Sequence, residues 1–173
     1  MTIEMQEKAF RNAILPLKDK LYRLALRITM DRAEAEDIVQ DTLIRIWEKR
    51  EEWPRIESIE ALCLTICRNL AIDRSQLKEA QNVELFPEKI DAPLASGPHE
   101  EAIAHESMDI VRRLIDELPT KQKEILQLRD MEGLSYREIA KVLQISEDQV
   151  KVNLFRARQW IKQRFNEIDN YGL

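Results

Sequence analysis

Glycine is scarce in this 173-residue chain, at three residues, so the Gly-rich turns that many short strands need are missing. Histidine and cysteine are scarcer, at two each. His99 and His105 stand in a different segment from Cys63 and Cys67, which leaves no four-ligand metal cluster of ordinary spacing. The two cysteines lie one turn apart in an apolar helical pattern and read as reduced core residues of a cytoplasmic protein. No apolar run approaches the length of a membrane span. Met1 to Arg11 carries charges and lacks the apolar core of a signal peptide. A Gly-rich phosphate loop and a nucleophile–His pair are also missing, so no enzyme class has a signature here. The expectation is no catalytic residue, no metal and no cofactor.

What is present is charge and aliphatic surface. Charged residues make up 34% and hydrophobic residues 44%, and long stretches of Leu, Ile, Glu, Arg and Ala predict an all-α fold. The net charge of −5 is unevenly spread: −1 over residues 1–80, −6 over 81–109 and +2 over 110–173. A nucleic acid meets local charge, not the average. Residues 81–105 hold Pro87, Pro93, Pro98 and Gly97 and have no sustained periodicity. They read as a flexible acidic linker. Two small helical domains are therefore expected, 1–80 and 106–173.

In the first domain a helix is predicted over Ala9 to Thr29 and a second from Asp31. Ala35, Ile38, Val39, Thr42, Leu43, Ile46 and Trp47 form its apolar stripe. After a loop broken by Pro54, a third helix is predicted over Ile59 to Lys78. Its stripe is Ile59, Leu62, Cys63, Ile66, Cys67 and Leu70, so the three can pack as a bundle.

In the second domain, helices are predicted over Glu106 to Leu118 and Thr120 to Met131, stopped by Pro119 and Gly133. Two helix starts follow with matching grammar. Ser135 and Glu138 form a capping box, with Leu134 and Ile139 as its hydrophobic staple. Ser146 and Gln149, with Ile145 and Val150, repeat it. The turn between, Gln144 to Ser146, has helix-turn-helix spacing. The last helix, Glu147 to Phe165, puts Val150, Leu154, Ala157 and Ile161 on one face. Asp148, Lys151, Val152, Phe155, Arg156 and Gln159 take the opposite arc. From Gln149 to Phe165 there are five basic residues and no acidic ones, a stripe suited to phosphate.

These residues resemble those of a known family. The stretch LPTKQKEILQLRDMEGLSYREIAKVLQISEDQVKVNLFRARQWIKQRF, Leu118 to Phe165, resembles region 4 of extracytoplasmic-function (ECF) sigma factors of the sigma-70 family. DRAEAEDIVQDTLIRIW, Asp31 to Trp47, is similar to their region 2.2, and ALCLTICRNLAIDRS, Ala61 to Ser75, to regions 2.3 and 2.4. The resemblance implies a sigma factor that binds core RNA polymerase and promoter DNA, through the β′ clamp helices and the β flap. Such a protein is monomeric when free, not membrane-inserted, and held by an anti-sigma factor.

By that resemblance, Asp37, Gln40, Asp41 and Ile44 face the polymerase. They fall off the buried stripe, and an acidic face beside an exposed Ile suits a protein interface. Arg68, Asn69, Asp73, Arg74 and Lys78 are the minus-10 residues, since Asn can pair with a base edge and cations can hold phosphates. Asp148, Gln149, Lys151, Val152, Asn153, Phe155, Arg156 and Arg158 are the minus-35 residues. The chain departs from the family where Leu62 stands for a frequent Trp, Gln144 for a frequent Gly, and Val152-Asn153 for a frequent Ser-Arg. Residues 106–165 alone would also suit another helix-turn-helix regulator. That reading leaves DRAEAEDIVQD unexplained, and no receiver-type βα pattern precedes the linker.

Overall fold

The computed structural model describes the backbone of residues 1–81 and 100–170 and the side chains of 1–80 and 106–170. Every regular element among these residues is helical, and the chain divides into two compact units, Met1–Asp91 and Ala92–Leu173.

The first unit opens with α1, Ile3–Ala9, capped by Thr2, whose hydroxyl accepts from the Met5 amide at 3.3 Å. The helix does not begin at Ala9 as the periodicity predicted. It starts at Ile3, widens to a π turn over Phe10–Ile14 and tightens to a 3₁₀ turn over Leu15–Leu17. Pro16 explains the change of pitch: it has no amide to donate to the preceding turn, and its ring crowds that turn's carbonyl. α2, Lys18–Thr29, then ends at Met30, which is left-handed at φ 54°. Asp31 caps α3, Arg32–Glu48, by accepting from the Glu34 amide at 3.1 Å.

α3 buries Ala35, Ile38, Val39, Thr42 and Ile46, while Leu43 and Trp47 of the expected stripe are only half-buried. A 3₁₀ turn, Arg50–Arg55, occupies the expected loop and drives Trp53 into the core. Its indole N–H donates to the Ile46 carbonyl at 3.1 Å, and its ring stacks on Phe10 at 6.3 Å.

α4, Ile59–Gln81, packs on α2 and α3. Its buried face is Ala61, Cys63, Leu64, Cys67, Leu70 and Ala71. The predicted stripe was turned too far toward its largest members: Ile59, Leu62 and Ile66 lie half-buried at the edges. Small residues let α4 approach closely enough for the Cys67 thiol to reach the Leu21 carbonyl of α2 at 3.3 Å. Burial pushes both thiols up to about 12, and both are free.

The second unit comprises α5 (Glu100–Glu117), α6 (Thr120–Leu126), α7 (Tyr136–Leu143) and α8 (Glu147–Asn170). α5 begins six residues earlier than predicted, within the segment read as linker. Ala102 and Ala104 favour helix, and Glu100 and Glu101 suit its positive N-terminal end. The remainder of that segment, 82–99, lies outside the described residues. α6 runs into a π turn, Gln127–Met131, and the chain reverses at Gly133, φ 71°.

Both capping boxes are formed. The Ser135 and Glu138 amides exchange bonds with each other's side chains at 2.9 and 3.1 Å, and those of Ser146 and Gln149 do so at 3.1 Å each. Gln144, between α7 and α8, is left-handed at φ 55°, ψ 49°. α8 packs on α5, α6 and α7 through Val150, Leu154 and Ala157. It runs five residues beyond the predicted end at Phe165.

Candidate functional site

The outer face of α3 carries Asp37, Gln40 and Ile44 in solvent, with Asp41 half-buried beside them. Ile44 is 56% exposed. It borders a groove with Phe10, Leu15, Leu43 and Trp47. Edge-to-face contact of Phe10 with Trp47 at 5.5 Å, and of Trp47 with Trp53 at 6.1 Å, braces this groove. The aromatic cluster was not read from the sequence, because Phe10 and Trp53 meet only through tertiary packing.

The α4 residues expected at the minus-10 element divide into two groups. Asn69 and Asp73 face solvent and Arg68 is half-buried. Arg74 instead turns onto the acidic face of α3. Its guanidinium donates to Asp37 at 2.5 Å, to Glu34 at 3.3 Å and to Asp41. Burial alone would pull Arg74 down; hydrogen bonds to Asp37 and Glu34 and the nearby carboxylate charges outweigh it and hold the group above the ordinary arginine range. One turn on, Lys78 reaches Asp31 at 2.6 Å and Glu34 at 3.9 Å. The hydrogen bond from Lys78, then that from the Glu34 amide, hold the Asp31 carboxyl below the usual aspartate range. The structure thus joins Arg74 to Asp37 and Asp41, residues expected to serve different partners.

On α8, Asp148, Gln149, Lys151, Val152, Phe155, Arg156 and Arg158 are all exposed, and Phe155 is 64% exposed. Not all are free to bind. Gln149 spends its carbonyl oxygen on the capping box. Asn153, half-buried, donates its amide to the Gln149 backbone at 2.7 Å. Arg158 is paired with Asp130 at 2.5 Å, a hydrogen bond that raises it above the ordinary arginine range. Lys151 lies 5.9 Å from the Tyr136 ring, whose face also holds Arg129 at 4.6 Å. Arg129 further donates to the Leu134 carbonyl at 2.8 Å. Tyr136 and Arg129 escaped the sequence reading, since only the crossing of α7 and α8 brings them to Lys151. Ile161, predicted on the packed face, is half-buried and lines an apolar groove with Val111, Ile115, Met131 and Phe165.

Residues 14–79 match the family model "Sigma-70 region 2", and residues 108–161 match "Sigma-70, region 4". The chain is an ECF sigma factor of the sigma-70 family. Curated relatives agree. The ECF RNA polymerase sigma factor SigE of Mycolicibacterium smegmatis is 31% identical over 146 residues, covering 83% of this chain and 56% of that protein. The ECF RNA polymerase sigma factor SigL of Mycobacterium tuberculosis is 30% identical over 149 residues, covering 86% and 84%. Among solved structures, the sigma factor RpoE of Bartonella quintana, in complex with the anti-sigma factor NepR, superposes with a TM-score of 0.70. Identity is 23%, with 94% of this chain and 99% of that one covered.

In sigma-factor terms, the α2–α4 bundle belongs to region 2, and α6–α8 with the end of α5 belong to region 4. Sigma factors of this family direct promoter-specific initiation by RNA polymerase. No helix of the described residues is long and apolar enough to cross a membrane.

Proposed function

We propose that the two units divide the work of promoter-directed initiation, residues 1–80 acting as region 2 and 106–173 as region 4, with 81–105 as the connection. Asp37, Gln40, Asp41 and Ile44 meet the β′ clamp helices. Arg68, Asn69, Asp73, Arg74 and Lys78 hold the opened minus-10 element. In region 4, Lys151 and Arg156 bind phosphates, with Arg158 joining once it leaves Asp130. Val152 and Phe155 contact base edges, where an apolar pair favours thymine methyl groups. Asp148, Gln149 and Asn153 border that contact. The groove of Ile161 and Phe165 suits an apolar element of the β flap.

The observation that carries this reading is the pairing of two matched blocks, region 2 then region 4, in one chain. The exposed Ile44 within a mixed acidic face supports a protein contact there. The run of five cations without an acid on α8 supports a nucleic-acid contact. Regulation by an anti-sigma factor is part of the proposal, since the RpoE structure was solved with one. The protein works by binding, without catalysis of its own, in the cytoplasm. Run-off transcription tests the reading: core polymerase with this chain should initiate from members of a linear promoter library on which core alone is silent. No transcript from any member would refute it.

A further inference from the structure

The ion-pair cluster between α3 and α4 joins two surfaces that the proposed function gives to different partners. Arg74 is three-quarters buried, its side chain 23% exposed, and it touches Glu34, Asp37 and Asp41 together. Those carboxylates are 30%, 61% and 39% exposed. They can therefore be reached from solvent while Arg74 holds them. A basic group arriving at the outer face of α3 competes with Arg74 for the same oxygens. Conversely, a phosphate draws Arg74 away more easily once the carboxylates have another cation. Lys78 makes a parallel clasp one turn along, on Asp31 and Glu34.

We propose that Arg74 is a positioning residue whose change of partner couples core binding to promoter opening. In the free chain it neutralises and orders the acidic face of α3. When cations of the polymerase take Asp37 and Asp41, Arg74 is released toward the backbone phosphates of the minus-10 strand. The coupling rests on the reading of α3 as the polymerase face and α4 as the DNA face. Its sign is fixed by linkage: whatever competes with Arg74 for the carboxylates frees Arg74, and whatever removes Arg74 favours the competitor.

The test is the affinity of the full chain for reconstituted core polymerase, with permanganate reactivity of the minus-10 region measured in parallel. Arg74→Gln should bind core about three- to tenfold more tightly, since no internal pair must break, and should open the promoter less. A merely structural Arg74 would instead give unchanged or weaker core binding, and that result overturns the proposal. Lys49→Gln is the charge control. It removes one positive charge at the C-terminal end of α3, from a residue paired only loosely with Glu52 at 3.9 Å. An equal gain in Lys49→Gln would mean that bulk charge, not partner exchange, sets the affinity, and also overturns it. Should Arg74→Gln lose helical content, Arg74→Lys replaces it. One ammonium cannot hold three carboxylates, so core binding should still tighten and that result decides; Lys keeps a charge for phosphate, so opening is not read from this variant. A wild-type chain with no affinity for core removes the functional reading itself. Wild-type binding with no gain in the variant removes only the coupling.

Discussion

Trp53 offers the sharpest test of how region 2 holds the groove beside Ile44. The residue is 6% exposed, stacks on Phe10, and donates its indole N–H to the Ile46 carbonyl. Trp53→Phe keeps an aromatic ring and loses that bond. The Ile46 carbonyl also accepts from the Lys49 amide at 3.1 Å, so it is not left bare. The loss is then the net worth of one hydrogen bond, about 0.5–1.5 kcal/mol, and not the larger cost of an unsatisfied group. The smaller ring also leaves space that the turn fills only in part, for about 1 kcal/mol more. The expected destabilisation is about 2 kcal/mol, or about 8–16 °C in Tm for a unit of this size. Native-state hydrogen exchange at α3 amides reads this unit separately from region 4. Trp47→Phe, at a half-buried ring, should cost under about 1 kcal/mol. Equal costs at the two positions, or a change below about 0.5 kcal/mol in Trp53→Phe, would refute the argument that the 3₁₀ turn anchors the groove through Trp53.

Lys151→Ala and Arg156→Ala should each weaken minus-35 binding across sequences and reduce the salt slope by about one, as a titration against promoter DNA in graded salt will read. Gln144→Gly should stabilise region 4 by about 0.5–1 kcal/mol, because relief at a left-handed residue exceeds the added freedom of the unfolded chain; urea denaturation checks it. The Asp31 carboxyl is held below its ordinary range, so the stability it contributes is present above the ordinary aspartate value and is lost as pH falls through the lowered one. Asp31→Asn should therefore flatten the acid side of the region 2 stability profile while leaving the alkaline side unchanged in shape, measured by denaturation at stepped pH.

Local chemistry was the legible part of this fold. Both capping boxes follow from a Ser and a Glu or Gln three residues on, and they form because all four groups belong to one helix turn. The reversal at Gly133 and the start of α6 after Pro119 were readable for the same reason. The buried face of α4 was legible in part: Cys63, Cys67 and Leu70 lay on the predicted stripe and are buried. Hydrophobic ranking added Ile59, Leu62 and Ile66, but close packing on α2 selects Ala61, Leu64 and Ala71 instead, and the small residues of this face permit the approach. The pitch changes before α2 depend on Pro16 and on where Phe10 must point, which is a tertiary demand.

The charged residues show most clearly where a linear reading stops. Periodicity placed Asp37, Asp41 and Arg74 correctly off their apolar stripes, yet the mutual rotation of α3 and α4 decides whether they face solvent or each other. Arg74 is 33 residues from Asp41 and 37 from Asp37, and no local rule ranks those partners above a phosphate. The same holds on region 4, where Arg158 sits in a basic run but meets Asp130 across 28 residues. Partly exposed ion pairs are worth only about 0–1 kcal/mol each. An arginine so held can be recruited by a stronger local field, such as a row of phosphates. A cation that is paired in the free chain is therefore not thereby removed from the DNA-binding set. Its pair sets the threshold at which it joins, and on the proposed coupling that threshold in region 2 is set by whatever occupies the acidic face of α3.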